Sequence, residues 1–134
     1  MITKISPDKQ KAQALKETAL VTLQRLQETD KLKYPSNTLK DYYDSLHELM
    51  DALLALEGVK VKGEGAHKET IDQVVLLYKL GEPIRVFLQE MREYRNRISY
   101  EGFHIKESYV AVNIKKIEEI FNKLLALLKR DRFN

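Results

Sequence analysis

The sequence predicts an all-α fold, an antiparallel up-and-down bundle of four to five helices. Three observations carry that expectation. Apolar residues recur at three- and four-residue spacing through most of the chain, the period that turns one helix face toward a core. The five glycines and three prolines mostly fall between those periodic runs rather than inside them, as helix starts and stops require. No segment alternates with period two over a useful length; VKVKG at 59–63 is too short and too close to glycine to seed a sheet.

The elements follow in order. Ser6-Pro7-Asp8 reads as an N-cap, a proline at the first helical position and an acid placed well for the helix dipole. The helix it opens is expected over about residues 7–29, with Ala12, Leu15, Ala19, Leu23 and Leu26 on its inner face. Pro35 breaks the pattern and pushes Tyr34 out of the helical region. Ser36 or Asn37 is expected to cap a second helix that runs from Leu39 through Leu46 and Leu53 to a stop at Gly58. A glycine-containing loop precedes KETIDQVVLLYKL, a shorter helix ended by Gly81. Helices over about 83–100, stopped by Gly102, and over about 106–130 complete the bundle.

At 134 residues the chain is one domain in size, long enough to bury a core of its own. Its core is expected over about residues 36–130, with the helix at 7–29 added to it. With 43% apolar and 32% charged residues, the balance is that of a folded globular protein and not of a disordered tail. The absence of cysteine excludes disulfides and thiolate metal centres and fits a reducing compartment. MITKISPDKQ has no apolar run of a secretory signal, and no stretch approaches a membrane span; a cytoplasmic protein is expected. A net charge of +3 and a pI near 9.0 tilt it toward anionic partners.

The residues that could carry chemistry concentrate in REYRNRISYEGFHI, residues 92–105. On a helix, Arg95 lies about 40° from Met91 and about 60° from Ile98, on the stripe that faces the core. A guanidinium cannot be discharged there; it needs carboxylate or carbonyl partners, a wet cleft or an interface, unless its stem snorkels past the core edge. Arg92, Asn96 and Ser99 form a second polar line, and Arg97 with Tyr100 a third. Such a set can grip phosphates and stack a base, or it can be a solvated face with Glu90, Glu93 and Glu101 as weak partners. His67 either packs the third helix or, with Lys60, Lys62 and Lys68, forms an anion nest at its start. His47 reads as a rim residue, and no metal constellation emerges from the three histidines.

YRNRISYEGF resembles the signature of the HEPN superfamily, small helical bundles that include ribonuclease toxins paired with minimal nucleotidyltransferases. That signature is an arginine, a polar residue, a few more residues and a histidine near the end of a core helix; Arg95 and Asn96 match its first two positions. LLALEGVKVKGEGAHKETI is similar too, Gly58 standing at the end of a leucine-rich helix and His67 at the opening of the next. The resemblance covers about residues 36–128. In the commonest spacing Tyr100 stands where the histidine falls, and His104 is displaced, with eight residues between it and Arg95; Arg97 and His104 keep a six-residue gap, but Ile98 rather than a polar residue follows Arg97.

The resemblance implies RNA or nucleotide binding with no cofactor or metal, a homodimer, a nucleotidyltransferase-type protein partner as in toxin–antitoxin pairs, and a metal-independent endoribonuclease activity that is weak, altered or absent. It makes Arg95, Asn96, Tyr100 and His104 the candidate catalytic set, and Arg92, Arg97, His67 and Lys68 the candidate nucleic-acid contacts. Histidine titrates in the range that moving a 2′-hydroxyl proton requires; tyrosine is a poor base unless an arginine lowers it. The competing expectation is a non-catalytic structural or regulatory bundle whose motif helix is a dimer or partner interface.

Overall fold

The computed structural model describes residues 1–133, with side chains described through residue 130. Five helices account for most of it: α1 (Lys9–Gln27), α2 (Pro35–Glu57), α3 (Ala66–Tyr78), α4 (Glu82–Glu101) and α5 (Glu107–Phe133). The class is all-α. No helix is long and apolar enough to cross a membrane among the described residues.

α2 is the hub of the bundle, packing against each of the other four helices. It can do so because its apolar residues cover more than one face: Leu39, Tyr42, Tyr43, Leu46, Leu49, Met50 and Leu53 are all fully buried. α1 adds Ala12, Ala19 and Leu26 to the same core, and α5 adds Val110, Ile117, Phe121 and Leu124. The Tyr42 hydroxyl donates to Glu118 at 2.9 Å, and Gln27 donates to the same carboxylate oxygen at 2.9 Å. One carboxylate on α5 thereby ties α1 and α2.

Several element ends differ from the sequence-based expectation, each for a tertiary reason. A small sheet does form: β1 (Ile2–Lys4) pairs antiparallel with β2 (Val59–Val61), Thr3 opposite Lys60. VKV is too short to stand alone, but it needs only one partner strand, and the chain start supplies it. The Met1 ammonium donates to the Lys62 carbonyl at 2.8 Å and the Lys62 N–H returns to Met1 at 2.9 Å. α1 accordingly starts at Lys9, capped by Asp8 accepting from the Lys11 N–H at 2.9 Å, and not at Pro7. The Asp8 N–H is already spent on the Ala55 carbonyl at 2.9 Å, which holds residues 5–8 against the end of α2.

Pro35 opens α2 itself, at the first helical position where its missing N–H costs nothing. Ser36 does not cap it; its hydroxyl accepts from the Ile105 N–H at 3.0 Å and anchors the loop before α5. α3 ends at Tyr78 because Lys79 adopts a left-handed conformation, φ 54°, as the Leu80 N–H turns back to the Val75 carbonyl at 3.1 Å. Gly81 is therefore not the stop of α3 but the entry to α4.

Candidate functional site

α2 is apolar on most sides, so its few polar residues on the α3/α4 side stand out. Asp44, His47 and Asp51 fall at i, i+3 and i+7, one stripe of a helix. All three are half-buried. Against this stripe come the start of α3, bearing His67, and the middle of α4, bearing Arg92 and Arg95.

Arg95 Nε donates to Asp44 Oδ1 at 3.1 Å, and Nη1 approaches Asn96 Oδ1 at 3.4 Å. Its side chain is only 18% exposed. The cation on the core-facing stripe is thus neither snorkelled nor unpaired; it has a carboxylate partner within its own chain. Burial pulls its pKa down, but Asp44 and Tyr100 outweigh burial and the guanidinium is held above its usual value. Arg92 is equally sheltered: Nε donates to Gln89 Oε1 at 2.7 Å. Gln89 in turn donates to the Lys68 carbonyl at 3.1 Å and to Asp72 at 3.0 Å. That relay ties Arg92 to the start of α3.

The two histidines meet beside them. His47 and His67 stack with ring centroids 3.9 Å apart and planes 17° apart, and Tyr43 flanks both, 6.1 Å from His47 and 6.3 Å from His67. His47 Nδ1 faces Asp51 at 3.2 Å, and its Nε2 is buried with no partner. The Tyr43 hydroxyl is likewise buried and unpartnered. Burial pushes that phenol well above its usual pKa although Arg92 and Arg95 both pull it down, so the hydroxyl stays a neutral donor at neutral pH. His67 is exposed as a residue, yet its imidazole is held below the ordinary histidine value by partial burial, by His47 and by Arg95, against the pull of Asp51 and Asp44.

The sequence-predicted residues divide into two groups. Arg92, Arg95, Asn96 and His67 come together around the α2 stripe. Tyr100 reaches Arg95 from the rim, 78% exposed. Arg97 is exposed and lies over the Phe103 ring at 3.9 Å, and Lys68 is exposed while its carbonyl serves Gln89. His104 is exposed in the loop between Gly102 and α5. Lys60 sits in β2, where Lys62 beside it depresses its pKa.

Tyr43, Asp44, His47 and Asp51 join the candidate site only through the packing of α2 against α3 and α4. The available signal was the i, i+3, i+7 polar stripe on the most apolar helix. His47 was expected at a rim, yet its side chain is 14% exposed, because His67 covers its ring face. No group of three or more His, Cys, Asp or Glu is placed to hold a metal among the described residues; two imidazoles stacked face to face point their nitrogens in parallel planes rather than at one centre. No protein-family model, curated protein or solved structure matches the chain.

Proposed function

We propose that the protein is a HEPN-like RNA- or nucleotide-binding bundle whose ligand phosphates dock at Arg95, and that it serves as one component of a toxin–antitoxin pair. The observation that supports this reading is the convergence of Arg95, Arg92 and His67, from two helices, on one polar stripe of a third. Guanidinium groups held by Asp44 and Gln89 are pre-oriented, which lowers the entropy lost when they grip a phosphate. Tyr100 at the rim offers a ring for a base to stack on. Ribonuclease activity is weak, altered or absent, since Tyr100 and not a histidine follows Arg95 and Asn96 at the usual spacing of the signature. A homodimer and a nucleotidyltransferase-type partner belong to the same proposal.

The test is binding of a fluorescent single-stranded RNA at 50 and 200 mM salt, with cleavage followed in the presence of a chelator. Binding that weakens steeply with salt and drops at least about tenfold in Arg95→Ala is expected, a loss of about 1.4 kcal/mol. Salt-insensitive binding, or an Arg95→Ala variant with wild-type affinity, defeats the proposal. One observation favours a second reading, a non-catalytic interaction bundle. Leu76, Leu77 and Val86 are exposed around the α3–α4 joint, on and beside the motif helix. Val86→Asp converting a dimer into a monomer, with no RNA bound at low salt, decides for it.

A further inference from the structure

A cleft of about 510 Å³ opens between the end of α4 and the start of α5, within the range of about 300–1,000 Å³ in which small-molecule sites fall. Successive helix residues point about 100° apart, so α4 serves two neighbours: Arg95 turns to Asp44 on α2, and Tyr94 turns to Phe103 and Tyr109. We propose that this cleft takes the base of a nucleotide, the ring lodged against Tyr94, Phe103 and Tyr109 and the phosphate near Lys106. This rests on the RNA- or nucleotide-binding reading above and deepens it by giving the base a place of its own.

The walls are aromatic and held in place. Tyr94 meets Tyr109 edge to face at 4.9 Å and lies nearly parallel to Phe103, with 6.0 Å between centroids and 17° between planes. Tyr109 is fixed at two points: its hydroxyl donates to Glu90 at 2.6 Å, and its carbonyl accepts from the Asn113 amide at 2.9 Å. The loop that carries Phe103 is pinned as well, the Phe103 N–H donating to the Arg97 carbonyl at 3.2 Å and the Ile105 N–H to Ser36 at 3.0 Å. All three rings are only half-buried. Rings already ordered lose little freedom when a ligand arrives, and a base is a flat surface to stack on them.

The polar groups around the rings select the ligand. Lys106 lines the cleft and forms no ion pair among the described residues. Arg97, whose guanidinium covers the Phe103 ring at 3.9 Å, forms none either. Of the acids nearby, Glu90 is spent on Tyr109, and Glu101 and Glu107 are exposed and bond to neither cation. Two cations beside an aromatic cleft with no carboxylate between them are complementary to an anion. Asn113, also in the lining, uses its Nδ2 on Tyr109, while its Oδ1 has no partner among the described residues and can accept from a ring N–H. A flat ring, an N–H on its edge and an attached anion answer all three features, and a nucleotide combines them. An aliphatic anchor from a protein partner would leave both the cations and the Asn113 acceptor unused.

Three probes test the cleft on the full chain: 5′-AMP, adenosine, and a ten-nucleotide oligoadenylate RNA without terminal phosphates. Affinity is read by calorimetry and the place of binding by NMR of the aromatic side chains. The expected result is that 5′-AMP or the RNA moves the Tyr94, Phe103 and Tyr109 ring resonances of the unaltered protein, a readout that needs no substitution. Ser108 lines the cleft and is exposed, so Ser108→Phe fills it without entering the core; at least about a tenfold loss of affinity, equal to about 1.4 kcal/mol, is expected at an unchanged unfolding midpoint. Lys106→Gln should weaken 5′-AMP at least about threefold and leave adenosine unchanged, since only the phosphate feels that charge.

The probes also separate the two sources of a base. 5′-AMP bound in the cleft without RNA assigns a free nucleotide, and RNA bound there without 5′-AMP assigns a base within a strand; both support the proposal. RNA binding that Arg95→Ala weakens, with the three rings unmoved and full affinity in Ser108→Phe, overturns the cleft and leaves the Arg95 reading standing. Ring shifts with wild-type affinity in Arg95→Ala do the reverse. A parent dimer that Ser108→Phe turns into a monomer, with no nucleotide bound, makes the cleft an interface between copies and overturns the proposal. If none of the three probes binds, both readings fall.

Discussion

α2 and α4 stop in the same way and are held in different ways. Each ends in a glycine with φ 68°, Gly58 and Gly102, a left-handed turn that frees the chain to leave the helix axis. A methyl added at Gly58 would lie 2.3 Å from the Ile5 carbonyl oxygen, whereas one added at Gly102 meets nothing within 4 Å. The first stop is locked under the chain start, with the Ile5 N–H donating to the Gly58 carbonyl at 2.7 Å. The second is open. The difference bears on the site: Asp44, His47 and Asp51 lie upstream of the locked stop, while His104 lies downstream of the open one.

Four substitutions or conditions test that contrast. The largest effect is expected for Gly58→Ala, which adds a backbone collision to the left-handed strain; a loss of about 2–5 kcal/mol in urea unfolding is expected. Removing residues 1–6 should bring that cost down toward the strain alone, and a cost that ignores the truncation means the lock is not the cause. Gly102→Ala carries the conformational strain without a collision, so about 1 kcal/mol should be lost in the same assay. Equal costs at the two glycines would erase the distinction drawn here.

Lys79→Gly is smaller and of opposite sign. Lys79 is the one described non-glycine residue at positive φ, and relieving it should raise stability by about 0.5 kcal/mol once the added freedom of the unfolded chain is counted. An unchanged or lower urea midpoint counts against that strain. The smallest effect is acid sensitivity at His67. Its folded pKa is lowered from the ordinary 6.5, chiefly by burial, then by His47 and Arg95. The folded state therefore binds the proton less readily than the unfolded chain, and the stability contributed by neutral His67 is present above about pH 6.5 and lost as pH falls below it. The Tm of His67→Gln should fall less than that of the parent between pH 7.5 and 5.5; parallel curves would remove His67 from the account.

Much of the fold was legible in the sequence because helix periodicity and helix stops are local properties. The stops at Gly58 and Gly102 could be read from a glycine following an apolar run, and the proline of α2 from its place before one. The strand pair could not, because MITKIS and VKV are each too short to signal a strand until they meet. Ser36 illustrates the same limit: a hydroxyl near a helix start is a capping signal, but the Ile105 N–H competes for it.

The candidate site was half legible. Arg95 was conspicuous because a charge on an apolar stripe is costly unless something answers it. What answers it, Asp44, is 51 residues away in sequence, and no spacing rule connects them. His47 and His67 each looked ordinary in isolation, one at the edge of an apolar helix and the other at a loop end. Their meaning comes from a 3.9 Å stack that only helix packing produces.

By itself the sequence determined the helical class, a count of four to five helices and the presence of an arginine that had to be compensated, since these follow from side-chain periodicity and the cost of burying charge. The tertiary structure decided which carboxylate compensates it and that two histidines from separate helices stack face to face, and it leaves His104 exposed in its loop. The physical reason is range. Propensity and capping act over a few residues, whereas desolvation, stacking and ion pairing depend on distances of a few ångströms between residues that the chain alone leaves far apart.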